Sequence, residues 1–501
     1  MKFVNAIKEE SRHTLTENGA DAYSTTNDFV LDMFGSIGSL RETTKARKER
    51  IFADAYNQDP LLATRCLFYA RDVRGGLGER ATFRTLLTYA AKHHPEAVRP
   101  NIGLVGFYGR YDDLYCLVGT ELEPDVWAFF KEQLELDEKA MKAKKPVSLL
   151  AKWLKTPDAS SPTTKKLGIK TAKGMGLTVY IYKRKLRALR KYLRIVEVSM
   201  SANQWDKVEY AKVPSRAMMI YRKAFEKHDG DRYQKFLRKV EKGEEKINAA
   251  TLFPYDLIGK YIDGGSFYAL QRIKEDATIE AQWKNLPDYV GTEANALVIA
   301  DVSGSMSGRP LCTSLGLAIY FAERNRGQYH GLWMAFSEQS HVHQLKGETL
   351  AQKIESIDYD HWGMNTNLEA AFMRVLKIGV DYKVAPEDMV KSLIIVSDME
   401  IDRCACCNNN RGWSFYDKMK AEYKKHGFQI PNVVFWNCNS RSDVFHADKD
   451  RKGVQLCSGQ SASTFKQLMA CVGMSPVEMM KKVLNGPRYA PVSVEGIEPK
   501  A

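Results

Sequence analysis

Beyond about residue 290 the chain alternates between short apolar runs and amphipathic stretches, and this pattern restricts its fold more than any other feature. Residues 296–300, 331–336, 392–396 and 432–436 are aliphatic, β-branched or aromatic runs of strand length. Helical patterns at about 310–325, 366–378 and 414–426 lie between them. Strands joined through helices must cross over, so the expected unit is a mostly parallel, doubly wound sheet with helices on both faces.

The preceding part reads differently. From about 25 to 290 the pattern is helical with short connections, giving an α plus α/β chain. Helices are expected over 29–34 (capped by Asn27), 43–57, 60–72, 79–92, 95–107 and 111–118. Pro60, Pro95 and Pro124 fall where a first turn or a loop tolerates them. Units of about 30–40 residues per helix pair, without a repeated motif, fit a HEAT-like repeat domain. Residues 155–177, polar and then glycine-bearing, read as a long loop. Residues 178–201 read as one amphipathic helix, with Leu186, Leu189, Leu193, Val196 and Met200 on one face and Arg184, Arg187, Lys191 and Arg194 on the other. The expected division is an N-terminal arm (1–24), a helical domain (25–290), a sheet domain (291–485) and a tail (486–501), with a linker near Pro287 and Gly291.

Charge separates the two parts. The chain carries +13, yet residues 139–200 alone hold 17 Lys/Arg against Asp158 and Glu197. Residues 296–501 hold 24 basic and 22 acidic side chains and are nearly neutral. Such a concentration suits a polyanion such as RNA, the alternative being a solvated basic face. The candidate RNA contacts are Lys152, Lys165, Lys166, Arg184, Arg187, Lys191 and Arg194. Arg71, Arg74, Arg80 and Arg84 join them along one helix–loop edge, although Arg80 could equally pair with Asp112 or Asp113. Trp153 reads as a core anchor.

Other features narrow the class. No run approaches the roughly 20 apolar residues of a membrane span, so no membrane role is expected. Lys2, Lys8, Glu9, Glu10 and Arg12 interrupt any signal-peptide core. Nine unevenly spaced cysteines then point to reduced thiols and a cytoplasmic location. Cys404 and Cys407 form one C-x-x-C with no second pair, short of a structural zinc set. His341 and His343 share a strand face without a completing ligand. The chain has no phosphate-binding G-x-x-x-x-G-K-[ST] loop.

The strongest local signal is Asp301-Val302-Ser303-Gly304-Ser305, directly after a strand. Alternation aims Asp301, Ser303 and Ser305 at one point, and hard oxygen donors suit Mg²⁺, Ca²⁺ or Mn²⁺. Thr366, ahead of a helix, and Asp398, at the end of another strand, fit the same rim. Asn365 is the alternative donor to Thr366.

This set resembles the metal-ion-dependent adhesion site of von Willebrand factor type A domains, Asp-x-Ser-x-Ser followed by a Thr and an Asp. The resemblance implies that Ser303, Ser305 and Thr366 coordinate directly, that Asp301 and Asp398 act largely through water or hydroxyls, and that one position is left for an acidic partner. The phrases RDVRGGLGER (71–80), YGRYDDL (108–114), AKWL (151–154), VPS (213–215), KIN (246–248) and LFP (252–254) resemble Ro ribonucleoprotein (TROVE-like) proteins, and more closely their uncharacterised microbial, viral and plant relatives. That resemblance implies a ring of helical repeats closed by the A domain, with single-stranded or small structured RNA as ligand.

The expected function is therefore non-catalytic RNA binding. A protein-interaction module holding an acidic partner is the alternative. A metal-dependent nuclease would need a general base, for which Glu400 is the one candidate.

Overall fold

A computed structural model describes residues 11–262, 273–291, 294–336, 340–358, 362, 366–403 and 415–497. The chain opens with an antiparallel hairpin, β1 (His13–Leu15) and β2 (Asp21–Tyr23). A helical region follows: α1 (Phe29–Ser36), α2 (Lys45–Gln58), α3 (Pro60–Arg71), α4 (Ala81–His93), α5 (Glu123–Lys142), α6 (Pro162–Gly174), α7 (Val179–Tyr192), α8 (Val196–Ser201), α9 (Ser215–Glu241) and α10 (Ala277–Lys284). Residues 95–117, expected as two helices, wind through short α and 3-10 turns. Asp28 caps α1, its carboxylate accepting from the Leu31 N–H at 2.9 Å. Asn27, the expected cap, stands one residue too early, at φ 67°.

Two expectations in the basic segment are corrected. The polar run around 155–177 is not one loop, because α6 occupies 162–174. Ser161 caps it and Pro162 fills its first turn. Its glycine at 168 serves packing: a Cβ there would stand 2.5 Å from the Thr156 backbone. The helix expected over 178–201 breaks at Arg194, which takes a left-handed φ of 48°. Leu186 and Leu189 belong to the main core, whereas Val196 joins a separate cluster with Phe225, Tyr233 and Phe236. A straight helix could not serve two cores, so the chain turns between them.

The sheet comprises β3 (Ala296–Asp301), β4 (Leu332–Phe336), β5 (Ser340–Gln344), β6 (Ser392–Ser397), β7 (Asn432–Asn437) and β8 (Val454–Ser458). Its order is β5-β4-β3-β6-β7-β8, parallel throughout except for β5 against β4. The longer helices of this part are α11 (Arg309–Arg324), α12 (Leu368–Asp381), α13 (Phe415–Lys425) and α14 (Pro476–Leu484), with short helical turns at Leu350–Glu355 and Thr464–Met469. From β3 the chain builds outward to β4 and β5, then returns to place β6 on the other side. That reversal opens a crevice at the carboxyl ends of β3 and β6, where open α/β sheets bind ligands.

Strand alternation decides what each face meets. Val298, Ala300, Ile394, Val396, Val434 and Trp436 share one core with α11 and the helical region. Leu297, Ile299, Leu393, Ile395, Val433 and Phe435 share the other with α12, α13 and Ala20, Ala22 and Tyr23 of the hairpin segment. Gly38 approaches Gly459 so closely that a Cβ would lie 2.7 Å from that backbone. The C-terminal segment returns to the helices: Arg488 grips Asp72, Tyr489 donates to Asp72 at 3.0 Å, and Asn101 donates to the Ser493 carbonyl at 2.6 Å.

Candidate functional site

Hydrophobic β3 delivers Asp301 to the crevice fully buried. Its carboxylate accepts from the Ser303 N–H at 2.9 Å and from the Ser397 hydroxyl at 2.6 Å. The Ser314 hydroxyl of α11 holds the Asp301 carbonyl at 2.7 Å. The Ser303 and Ser305 hydroxyls lie 3.1 Å apart, Ser303 buried and Ser305 exposed. Asp398, just past β6, is also buried, with one oxygen accepting from the Glu400 N–H at 3.2 Å. Its other oxygen is buried and accepts no well-aligned hydrogen bond among the described residues, its one near cation being a guanidinium. Burial, and then the nearby Asp398 carboxylate, push the Asp301 carboxyl upward.

Thr366 is tied to the extension beyond β6. Its N–H donates to the Asp402 carboxylate at 2.8 Å, and its carbonyl accepts from the Asp402 N–H at 3.0 Å. The alternative donor Asn365 lies outside the described residues, as does the cysteine segment from Cys404 to Cys407. Asp301, Ser303, Ser305 and Asp398 thus gather on one rim, with Thr366 anchored to the same loop. The donors are all oxygens, the chemistry of a hard divalent cation. Among the described residues no three His, Cys, Asp or Glu side chains converge on a metal position. His343, one of the two strand histidines, stacks on Trp333 with centroids 4.5 Å apart.

Sequence reasoning missed two residues here. Arg441, from the loop after β7, places Nη2 3.1 Å from that second Asp398 oxygen and Nη1 2.9 Å from the Glu17 carboxylate. The hairpin turn reaches the same rim: the Glu17 N–H donates to Glu400 at 2.7 Å, Asn18 to the Glu400 carbonyl at 2.7 Å and Thr16 to the Ile401 carbonyl at 2.7 Å. The Glu400 carboxylate is also held by the Ser442 hydroxyl. Both of its oxygens are therefore engaged, and burial raises its pKa. No spacing in the chain signals these contacts: those of the hairpin turn with the Glu400 segment join residues more than 380 positions apart.

Beneath the Asp398 loop lies His446, fully buried, its Nε2 3.0 Å from the Met399 carbonyl. Burial pushes its pKa down to about 4. The unfolded imidazole takes a proton below about 6.5 and the folded one resists it. Stability is therefore full above pH 6.5 and falls as the pH drops toward 4, by roughly 2–3 kcal/mol across that window. Melting curves of wild type and His446→Asn over this range check it: the variant should lose much of the acid sensitivity.

The candidate RNA residues divide into three groups. Arg71 is buried against Asp113 at 2.7 Å. Arg84 donates to Asp113 at 2.7 Å, and Arg80 stands 3.3 Å from Asp112. These three brace the fold through the Asp pair, and the buried Arg71 presents nothing to a phosphate. Arg74 is exposed. Lys165 and Lys166 on α6 and Arg184 on α7 are exposed too, but outside any described cavity lining. The others converge: a cavity of about 1060 Å³ between α7, α8 and the 204–214 segment is lined by Lys152, Lys183, Arg187, Arg190, Lys191, Arg194, Lys207 and Lys212. Its acidic lining is Asp158, Asp206 and Glu209. Lys183 pairs with Asp158, Arg194 and Lys212 pair with Glu209, and Lys152 stands 3.8 Å from Glu197. Arg190 donates to the Ala151 and Leu154 carbonyls at 2.8 Å. Arg187 and Lys191 form no ion pair among the described residues and leave their charge in the cavity.

Fold and site together define a class: a helical region sharing its core with a doubly wound sheet, an acid-and-hydroxyl rim at the sheet's switch point, and a basic cavity on the helices. Residues 295–488 match the model of a domain of unknown function, DUF7788, and residues 16–106 and 158–294 match that of another, DUF2828. The two matched regions meet where β3 begins. The chain is similar to uncharacterized protein L728 of Acanthamoeba polyphaga mimivirus, 29% identical over 511 residues, covering 94% of this chain and 87% of the viral one.

Proposed function

We propose that this chain is a non-catalytic RNA-binding protein with the plan of the Ro ribonucleoproteins. Its HEAT-like helical region would grip single-stranded or small structured RNA, and its sheet would serve as a von Willebrand factor A-like domain. The observation that carries this reading is the basic cavity, where Arg187 and Lys191 stand unneutralised beside six further cations. Retention of labelled single-stranded RNA on a filter, measured against salt, tests it. Binding should fall steeply as salt rises, because each phosphate contact releases counterions. Affinity that salt leaves unchanged would remove this reading. Six described cysteines, all free thiols, accord with a reducing cytoplasm, and no helix among the described residues is long and apolar enough to cross a membrane.

Asp301, Ser303, Ser305, Thr366 and Asp398 would hold the divalent cation, Mg²⁺ by the hardness of their oxygens. The fit rests on the two buried carboxylates gathered at one rim, Asp301 and Asp398, the second with an oxygen met only by the Arg441 guanidinium among the described residues. Arg441 stands there as a resident positive charge. Calorimetric titration with Mg²⁺ should show binding by the wild type and none by Asp301→Ala. Arg441→Met should tighten binding about fivefold, the equivalent of ~1 kcal/mol for removing one partly exposed competing charge. Equal affinity in wild type and Asp301→Ala would sink the site.

A second reading, an acidic protein partner held at the metal, has one observation in its favour: the Glu17 carboxylate already reaches this rim. The nuclease reading is left without a free base at the rim among the described residues, since both Glu400 oxygens are engaged.

A further inference from the structure

A second cavity opens beside the basic one. It holds about 370 Å³ and is lined by Arg74, Phe107, Arg110, Leu149, Trp153 and Arg488, among others. Leu149, half-exposed, lines both cavities, so the two are neighbours across that side chain.

The lining carries three arginines and no acid. Two of the guanidinium groups are fixed in place. That of Arg110 lies 3.5 Å from the centroid of the Trp153 ring and donates twice to Asp112 at 2.8 Å. That of Arg488 lies 5.3 Å from the Phe107 centroid and donates to both oxygens of Asp72. Phe107 is 54% exposed, so one face of its ring is open to a ligand in the niche. Arg74 is exposed, donates weakly to the Phe107 carbonyl at 3.4 Å, and forms no ion pair among the described residues.

We propose that this niche receives one unpaired nucleotide, its base stacked against Phe107 and the held guanidinium planes and its phosphate drawn to Arg74. Aromatic and guanidinium planes are the surfaces on which unpaired bases stack, and every base has a face to offer. An acidic peptide would engage the arginines but leave the exposed ring unused. The inference rests on the RNA-binding reading and refines it: the basic cavity would hold the backbone, and the niche would hold a splayed base. A free mononucleotide offers the same chemistry as a nucleotide within a strand.

The test measures binding of a labelled oligoadenylate and, separately, of adenosine monophosphate. Phe107→Ala should weaken oligoadenylate binding about tenfold and leave its salt dependence unchanged, while Phe107→Trp should match or exceed the wild type. Arg74→Ala should weaken binding and lower the salt slope by about 0.7, the loss of one phosphate contact on a single strand. Both positions are exposed, so melting curves should coincide with the wild type. Wild-type oligoadenylate affinity in Phe107→Ala overturns the niche and leaves RNA binding standing. Failure of the wild type to bind oligoadenylate removes the RNA reading; adenosine monophosphate binding that Phe107→Ala abolishes then keeps the niche as a mononucleotide site, and no binding of either probe overturns it.

Discussion

Changing Arg187, Lys191 and Arg194 to Glu should abolish binding of single-stranded RNA. The three side chains line the basic cavity, and Arg187 and Lys191 are among its cations that form no ion pair among the described residues. Reversal changes the local charge by six units and turns three attractive phosphate contacts into repulsions. Each lost contact on a single strand lowers the salt slope by about 0.7, so the slope should fall by about two. Affinity at moderate salt should drop at least a hundredfold, and at low salt the difference should widen, because screening weakens. All three residues are exposed, so the fold should survive, and a melting curve verifies this. Arg194 is the least telling of the three, since it already pairs with Glu209. A double reversal of Arg187 and Lys191 should therefore produce most of the effect. Affinity within twofold of the wild type would take the cavity out of the account. The matched reversal of Lys165 and Lys166, exposed on α6 but outside the cavity, should cost far less.

Much of the sheet was legible because its signals are local. A hydrophobic run buried on both faces reads as a strand wherever it occurs, and the runs at 296–300 and 392–396 fall within β3 and β6. Asp301, Ser303 and Ser305 were legible for the same reason: strand and loop are adjacent in the chain. β8 was missed because Gln455 and Cys457 dilute a run of only five residues. Arg441 and Glu17 could not be found from spacing, since one comes from the loop after the next strand and the other from a hairpin near the start of the chain. The broken helix at Arg194 shows a different limit. Its apolar period continues through the break, and two separate cores, invisible in the period, force the turn. For α6 the signal was present, a Ser161-Pro162 start, but the glycines read as loop residues when they mark close packing. The arginines at 71, 80 and 84 expose the deepest ambiguity. A guanidinium meets a phosphate and a carboxylate with the same fork, and burial alone tells which it serves.

That burial makes Asp113→Ala the substitution with the largest expected effect on stability. Asp113 is fully buried, and its two oxygens accept from Arg71 Nε at 2.7 Å, Arg84 Nε at 2.7 Å and the Arg110 N–H at 3.1 Å. Its neighbour Asp112, also buried, takes Arg110 at 2.8 Å, Arg80 and Arg84 at 3.3 Å and Lys155 at 3.7 Å. Two carboxylates thus serve four guanidinium groups and an ammonium, and they tie α3, α4 and the 111–117 turn into one block. Gly109 lets the network close: a Cβ there would stand 2.5 Å from Arg71 Nε and 2.8 Å from an Asp113 oxygen. Alanine at 113 removes the partner of Arg71, which is only 2% exposed and has little water to replace it. Leaving such a charge unpaired costs about 3–5 kcal/mol, whereas removing both members of a buried pair can be nearly neutral. Asp113→Ala should therefore lower the melting temperature sharply, and adding Arg71→Met should restore a good part of the loss. An exposed pair such as Lys45 and Glu49, 3.5 Å apart on α2, should give less than about 0.5 kcal/mol when broken. A melting temperature for Asp113→Ala close to the wild type would mean that water reaches Arg71. The same block carries Arg110 and the segment leading to Phe107, so RNA affinity should fall in Asp113→Ala and return with the Arg71→Met rescue.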